Sequence, residues 1–294
     1  MNTRNIRFRS NRIRDIAALF HEELDVLYGA GEVEVFFEML CEAFLGWDKV
    51  RLMMSKERTI DQSDLLRFHW ALEDLRGERP IQHIIGYTDF CGCRIEVGSD
   101  VLIPRPETEI LCKEVLSRIN TLKAPRILDL CTGSGCIAWS LSLSIQGSDV
   151  VGTDISKDAL EVARSQFSEG NSPSFYVGDI FSYPQGYGRK AFDIIVSNPP
   201  YILPQEKPSM RRNVLDYEPH LALFAPGDDP LSAYRAIAHW AKVLLSPEGF
   251  GIVEINEHLS AETAEVFRSE GFENVSSLPD FYDKSRFVLF SNRP

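Results

Sequence analysis

The sequence predicts an α/β fold, with a small helical segment ahead of a larger domain built on a mostly parallel sheet. Two observations predict it. From Arg126 onward, short β-branched apolar runs alternate with helical stretches, the pattern of a parallel sheet covered by helices. Before that, from about Asn11 to Leu75, apolar residues recur at helical spacing and no strand pattern intervenes.

The helical stretch places Ile13, Ile16, Leu19, Phe20, Leu24 and Leu27 on one stripe, then Val35, Phe36, Leu40 and Phe44 on a second. Trp70, Leu72 and Leu75 continue the pattern after helix-start signals at Asp61 and Ser63. With Gly29 and Gly31 as punctuation, four or five short helices are expected. From Arg79 to about Pro106 the texture changes. Pro80, Gly86, Gly92, Gly98 and Pro104 separate short segments such as Thr88-Asp89-Phe90 and Arg94-Ile95-Glu96-Val97, which read as a β-hairpin linker. A helix then opens at Pro106 or Thr108 and runs through Leu116, with Glu107 and Glu109 near its positive end.

Strands are expected at 126–130, 150–154, 174–177, 192–197 and 250–255, with 286–290 closing the sheet. Helices are expected from Cys136 through Ser144 and at 156–167, 231–245 and 261–269. Neither an internal repeat nor a low-complexity segment is evident.

Composition narrows the function classes. A chain of 294 residues with 44% hydrophobic and 25% charged content can build a sizeable core and is long enough for two domains. A formal net charge of −12 gives no general attraction to phosphate backbones, so direct nucleic-acid binding is not expected. Cys41, Cys91, Cys93, Cys112, Cys131 and Cys136 form no CxxC pair, and the six histidines show no metal-ligand spacing. Free thiols, no metal and a cytoplasmic location are the expectation. No apolar run reaches the roughly 20 residues of a membrane span. The start carries Arg4, Arg7, Arg9, Arg12 and Arg14 without an apolar core, so a solvated helix entry is expected rather than a secretory signal.

The chemistry gathers at strand ends. The strand at 126–130 runs straight into Cys131-Thr132-Gly133-Ser134-Gly135, whose glycines let backbone approach a ligand closely. The next strand ends in Asp154, about 20 residues beyond, the offset of an acid that binds ribose hydroxyls. The loop reads Asp-x-Cys-x-Gly-x-Gly and lacks the G-x-G-x-x-G spacing that seats a pyrophosphate, which disfavours a dinucleotide. S-adenosylmethionine needs no phosphate cradle. Its ribose, adenine and amino-acid tail suit Asp154, the segment Asp179-Ile180-Phe181 and the loop Cys131 to Gly135 respectively. Taken alone, Asp154 is equally an acid capping its own turn.

Asn198-Pro199-Pro200-Tyr201 follows the fourth strand. Two consecutive prolines fix two φ angles and remove two N–H donors, leaving a stiff turn that presents carbonyls beside an amide and an aromatic ring. Such a turn suits a planar NH2 group; a rigid strand exit is the plain alternative. Tyr201 is read as stacking on the substrate's amide plane, with core packing as its alternative. The motif by itself does not separate glutamine from adenine, cytosine or guanine.

Together with Arg79-Pro80-Ile81-Gln82-His83-Ile84-Ile85-Gly86 and Leu102-Ile103-Pro104-Arg105-Pro106-Glu107-Thr108-Glu109, these motifs resemble those of the release-factor glutamine methyltransferases, the PrmC/HemK family. The similarity runs from about residue 75 to the end. It implies a Rossmann-like class I methyltransferase domain with a mostly parallel seven-stranded sheet, preceded by a helical bundle and a β-hairpin linker. The implied division is 1–78 for partner recognition, 79–106 for the linker and 107–294 for methyl transfer. The implied reaction moves a methyl group from S-adenosylmethionine, leaving S-adenosylhomocysteine, to the N5 side-chain amide of the glutamine in the Gly-Gly-Gln loop of class I peptide-chain release factors. A monomer is expected, although the sequence itself does not fix the oligomeric state.

Carried onto this chain, Asn198, Pro199, Pro200 and Tyr201 become the catalytic and substrate-binding residues. The cofactor set becomes Cys131, Thr132, Gly133, Ser134, Gly135, Asp154, Asp179, Ile180 and Phe181, with Asn198 at its border. The chain departs from the family at three points: Cys131 stands where Gly is common, Ile180 and Phe181 share the place of an aromatic residue near adenine, and Asn256 stands where Gly is usual. Glu218-Pro219 and Asp228-Asp229-Pro230-Leu231 resemble the loop that follows the family's active site. A DNA or RNA exocyclic-amine methyltransferase is the alternative from the same chemistry, and a non-catalytic nucleoside-binding scaffold the alternative from another class.

Overall fold

The computed structural model describes residues 8–119, 123–167, 171–184 and 186–292. Arg4 and Arg7 of the basic start lie outside the described residues. The chain divides into two compact units: residues up to Gly86 together with Arg212–Tyr217, and Tyr87–Arg211 together with the residues from Glu218 onward.

The first unit contains α1 (Ile13–Tyr28), α2 (Ala30–Leu45), α3 (Lys49–Met54), α4 (Gln62–Arg76) and α5 (Ile81–Ile85). Asp48 and Asp61 cap α3 and α4 by accepting the backbone N–H groups of Arg51 and Asp64, which have no partner within their helices. The helices enclose Ile16, Phe20, Leu24, Phe37, Phe68 and Leu72. Phe20 meets Phe37 and Phe68 edge-on at 5.4 and 6.2 Å, the favoured arrangement of aromatic quadrupoles. The expected stripe is off by one position in places. Leu27, Val35 and Trp70 face solvent, while Val33 and Phe37 fill the core, because helix crossing angles and not spacing alone choose which of two adjacent apolar rows packs.

The second unit begins with the hairpin β1 (Tyr87–Phe90) and β2 (Cys93–Glu96), paired antiparallel. The stretch 79–86 ahead of it carries α5, which groups with the helical unit. There follow α6 (Pro106–Arg118), β3 (Arg126–Leu130), α7 (Cys136–Ser144), β4 (Asp149–Asp154), α8 (Lys157–Ser165), β5 (Ser174–Val177) and β6 (Phe192–Ser197). Two short helices come next: α9 (Arg212–Leu215), in the segment that groups with the first unit, and α10 (His220–Leu223). The chain closes with α11 (Ser232–Leu244), β7 (Leu245–Glu254), α12 (Ser260–Ser269), β8 (Asn274–Pro279) and β9 (Ser285–Ser291).

Seven of these strands form one sheet in the order β5-β4-β3-β6-β7-β9-β8. Successive side chains alternate between its two faces. Ile127, Ile194, Val196, Ile252 and Phe287 join the core under α6, α7 and α8; Leu128, Ile195, Val253 and Val288 join the core under α11 and α12. Burial on both faces explains why these runs read as uninterrupted apolar strands.

The pairings of β3, β4, β5, β6 and β7 are parallel, whereas β9 pairs antiparallel with both β7 and β8. The expectation that the strand at 286–290 closes the sheet is therefore corrected: β8 is the edge and β9 lies inside it. β8 escaped notice because an edge strand needs one partner only, and its residues are mostly exposed. From β3 the chain steps outward to β4 and β5, then returns to place β6 on the other flank of β3. That reversal opens a crevice at the C-terminal ends of β3 and β6, where open α/β sheets take their ligands. Among the described residues no helix is long and apolar enough to cross a membrane.

Candidate active site

The crevice is a cleft of about 170 Å3 within the second unit. The Cys131–Ser134 loop, Asp154, Asp179, Ile180, Phe181, Asn198 and Pro200 all line it. Pro199 and Tyr201 do not, and Gly135 lies behind the loop as the cap of α7.

On the β3 side the backbone sets the geometry. Thr132 N–H donates to the Thr153 carbonyl at 2.9 Å, tying the loop to β4. Gly135 has φ +76°, and an added Cβ would sit 3.0 Å from both Ala163 and Phe175, so conformation and space both demand glycine. Cys131 adopts φ +59° without being glycine, a strained left-handed geometry that explains why glycine suits this position. Its half-buried thiol is held above its ordinary range by desolvation and by the nearby Asp154 carboxylate.

Asp154 accepts one backbone N–H on each oxygen, from Gly133 on Oδ2 and Ser156 on Oδ1, both at 2.9 Å. Its capping role and its place in the cleft therefore coexist, since each oxygen keeps a second lone pair. Burial raises its carboxyl above the usual range, against the pull of these donors. Beneath the loop, fully buried Asp129 accepts from Thr132 Oγ1 at 2.5 Å, and burial pushes its carboxyl up to about 7. Asp179 accepts the Phe181 N–H at 2.9 Å. Ile180 is buried against the core under α11, while Phe181 exposes its ring. Ile155, next to Asp154, also presents an exposed apolar side chain to the cleft. It escaped the sequence reading because one isoleucine after a strand acid carries no motif; large apolar exposure at a strand end is visible only in the fold.

On the β6 side, side chains do the work. Ser197 Oγ donates to the Leu130 carbonyl at 2.7 Å, holding the ends of β6 and β3 together. Asn198 Nδ2 donates to Thr108 Oγ1 at 3.1 Å, and Thr108 donates to Glu254 Oε2 at 2.7 Å. Tyr201 donates to Glu254 Oε1 at 2.8 Å, so its hydroxyl is satisfied and its ring packs against the core under α11. Burial and the adjoining Glu254 carboxylate raise the Tyr201 phenol well above its ordinary value. Burial raises the Glu254 carboxyl as well, opposed by the two hydroxyl donors and by Arg286.

Asn256, where glycine was expected by resemblance, donates through Nδ2 to the Tyr201 carbonyl at 3.3 Å and to Glu206 at 2.9 Å, bracing the turn. Beyond it, Ile202 exchanges backbone hydrogen bonds with Leu223 and Ala225, which sets Phe224 in the cleft wall. Buried Glu218 accepts from Arg105 at 2.6 Å and from the Ile103 N–H at 3.0 Å, pinning the segment that carries Pro104 and Arg105 into the same wall. Thr108, Glu218 and Glu254 were given no role in the site from the sequence because their partners are remote in the chain.

Residues 27–86 match the family described as the PrmC N-terminal domain, and residues 122–273 match the methyltransferase domain family. A release factor glutamine methyltransferase of Flavobacterium psychrophilum is 36% identical over 97% of this chain and 98% of its own. The enzyme of the same name from Bacteroides thetaiotaomicron is 37% identical over 95% of this chain and 99% of its own. Among solved structures, the catalytic domain of hMettl16 covers 81% of this chain and 86% of its own at a TM-score of 0.53 and 16% identity, a likeness of fold alone. With identity of this level along nearly its whole length, and with both family matches in place, the chain belongs to the release factor glutamine methyltransferases.

Proposed function

We propose that the cleft binds S-adenosylmethionine beside the glutamine of the Gly-Gly-Gln loop of a class I peptide-chain release factor, and that Asn198, Pro199 and Pro200 present the glutamine's N5 amide for methylation. The observation that carries this reading is that Asn198 and Pro200 share one cleft with Asp154, Asp179 and the Cys131–Ser134 loop. The residues fit the cofactor. Asp154, fixed by two backbone donors with a lone pair to spare on each oxygen, suits two vicinal ribose hydroxyls. Asp179 suits an exocyclic amine, with Ile155 and Phe181 as apolar faces for a purine. The narrow loop at Cys131 to Gly135 suits the amino-acid tail. When bound, S-adenosylmethionine supplies an electrophilic methyl group on a sulfonium centre and leaves as S-adenosylhomocysteine.

An amide nitrogen is a poor nucleophile because its lone pair is delocalised into the carbonyl. Positioning therefore carries most of the rate. Asn198 Oδ1 accepts one amide N–H in the cleft, and the Pro199 carbonyl, although its residue does not line the cleft, is assigned the other; together they turn the nitrogen toward the methyl and stabilise the positive charge that develops on it. Glu218 and Arg105 hold the wall of the cleft. Tyr201 anchors the turn through Glu254.

Residues 1–78 serve partner recognition in this reading, 79–106 link, and 107–294 carry the transfer. Exposed Val50, Met54 and Trp70 in the helical unit offer apolar contact to a protein partner. The enzyme acts as a cytoplasmic monomer without direct nucleic-acid contact, in keeping with the net charge of −12. A single mixed incubation tests the assignment: labelled S-adenosylmethionine, a class I release factor, duplex DNA and ribosomal RNA, with mass spectrometry at the glutamine. Label is expected on the glutamine amide; label in nucleic acid with the release factor untouched would overturn it.

A further inference from the structure

An asparagine side chain offers an acceptor on one side and a donor on the other, and the two are nearly isosteric. To accept an N–H of the substrate, Asn198 must turn Oδ1 toward the cleft and Nδ2 away from it. The hydrogen-bond chain behind Asn198 has a direction that decides this. Glu254, 1% exposed, accepts from Thr108 through Oε2 and from Tyr201 through Oε1, at 2.7 and 2.8 Å. In its ionised form, which the two hydroxyl donors and Arg286 favour against burial, Glu254 can only accept, and a hydroxyl has one hydrogen to give. Once Thr108, 2% exposed, has donated to Glu254, its oxygen can only accept from Asn198, 3.1 Å away. The side chain of Asn198 that faces Thr108 is therefore the NH2, whichever way the amide is drawn.

We propose that Thr108 and Glu254 are positioning residues: acting through Asn198, they lock its amide so that Oδ1 is delivered to the cleft as the acceptor for the substrate NH2. The proposal rests on the reading of Asn198 as the substrate's hydrogen-bond partner. In the opposite orientation Oδ1 would face the lone pairs of Thr108, and Nδ2 would meet the substrate NH2 donor to donor. Both contacts are repulsive, so the device excludes a state that is competent to bind neighbours by shape but not to hold the amide. Tyr201, the third member, holds the carboxylate at its other oxygen and leaves it no freedom to rotate. The arrangement couples α6, the turn after β6 and the end of β7, three elements that meet only in the folded sheet.

Full-length variants test this by steady-state kinetics on a class I release factor, with cofactor affinity by calorimetry and unfolding midpoints alongside. Thr108→Val keeps the shape and removes the hydroxyl; kcat is expected to fall about 10- to 100-fold, the range typical of residues that orient a working ligand, with cofactor affinity within twofold. Thr108→Ser restores the hydroxyl and is expected to recover most of the lost turnover. Adding Thr108→Val to Asn198→Ala is expected to cost nothing further, because Thr108 acts through Asn198. Glu254→Gln introduces a side chain that can donate to Thr108 and so allows both directions of the chain; it too is expected to lower kcat, and it stands in should Thr108→Val fold poorly. Wild-type turnover in Thr108→Val or Glu254→Gln, or losses that multiply in the double variant, would overturn the proposal while leaving Asn198 in its role. Undiminished turnover in Asn198→Ala would instead remove the reading on which the proposal stands.

Discussion

The two halves of the cleft are built by different means. On the side of β3, β4 and β5, charged side chains are held by backbone: Asp154 by the N–H groups of Gly133 and Ser156, Asp179 by that of Phe181. On the side of β6 and β7, side chains are held by other side chains: Asn198 by Thr108, and Thr108 and Tyr201 by Glu254. In the proposed reading, a nucleoside offers the same hydroxyls and amine at every turnover, and rigid turns suffice to meet them. An amide that must be held in one orientation needs a donor-acceptor direction, which backbone alone does not supply on both sides.

The comparison is broken or sharpened most by Asn198→Ala. Turnover is expected to fall about 100- to 1000-fold, in line with the removal of one oriented hydrogen-bonding group at a reacting centre, while calorimetry shows unchanged cofactor affinity. Asp154→Ala should do the converse. Loss of hydrogen bonds to a charged group is worth roughly 1.5–3 kcal/mol, so cofactor affinity is expected to drop about 10- to 100-fold, with kcat at saturating cofactor nearly preserved. If both variants moved kcat and affinity together, the two halves would not be separable.

A smaller effect is expected from pH. Asp129 is held up to about 7 in the folded protein against an ordinary 3.8. The folded state then binds more protons than the unfolded one between these values, so the stability contribution of this group is complete below about 4 and is lost as pH rises toward 7. Unfolding midpoints of Asp129→Asn measured from pH 4 to 8 should show a flatter decline than the native chain. An unchanged slope would mean that Asp129 is not the group responsible. The smallest expected change is Cys131→Gly. Relief of a left-handed residue is worth about 1–2 kcal/mol, and the added freedom of the unfolded chain offsets about 0.4–1 kcal/mol. A rise in midpoint of about 2–4 °C is the expectation, checked by calorimetric scans.

How much could be read in the sequence follows the same division. The loop after β3 and the acids after β4 and β5 were legible because their geometry is local: glycines and acids within a few residues decide the turns that position them. The double proline was legible for the same reason, since it stiffens its own turn. The edge strand β8 was not, because its exposed, polar residues carry no periodic signal. Nor was the solvent-facing Ile155, whose exposure belongs to the fold.

Thr108, Glu254 and Tyr201 mark the limit most clearly. Thr108 lies 146 residues from Glu254 and 90 from Asn198, and Tyr201 lies 53 from Glu254. Sequence by itself determined the parallel α/β domain, the loops proposed to hold the nucleoside and the presence of a turn suited to a planar NH2 group, because each depends on residues close along the chain. Only the tertiary structure brings together the groups that we propose set which way Asn198 faces. That orientation is the end of a hydrogen-bond chain whose direction begins at a buried carboxylate on β7, and the order of strands in the sheet is what brings that carboxylate beneath the turn.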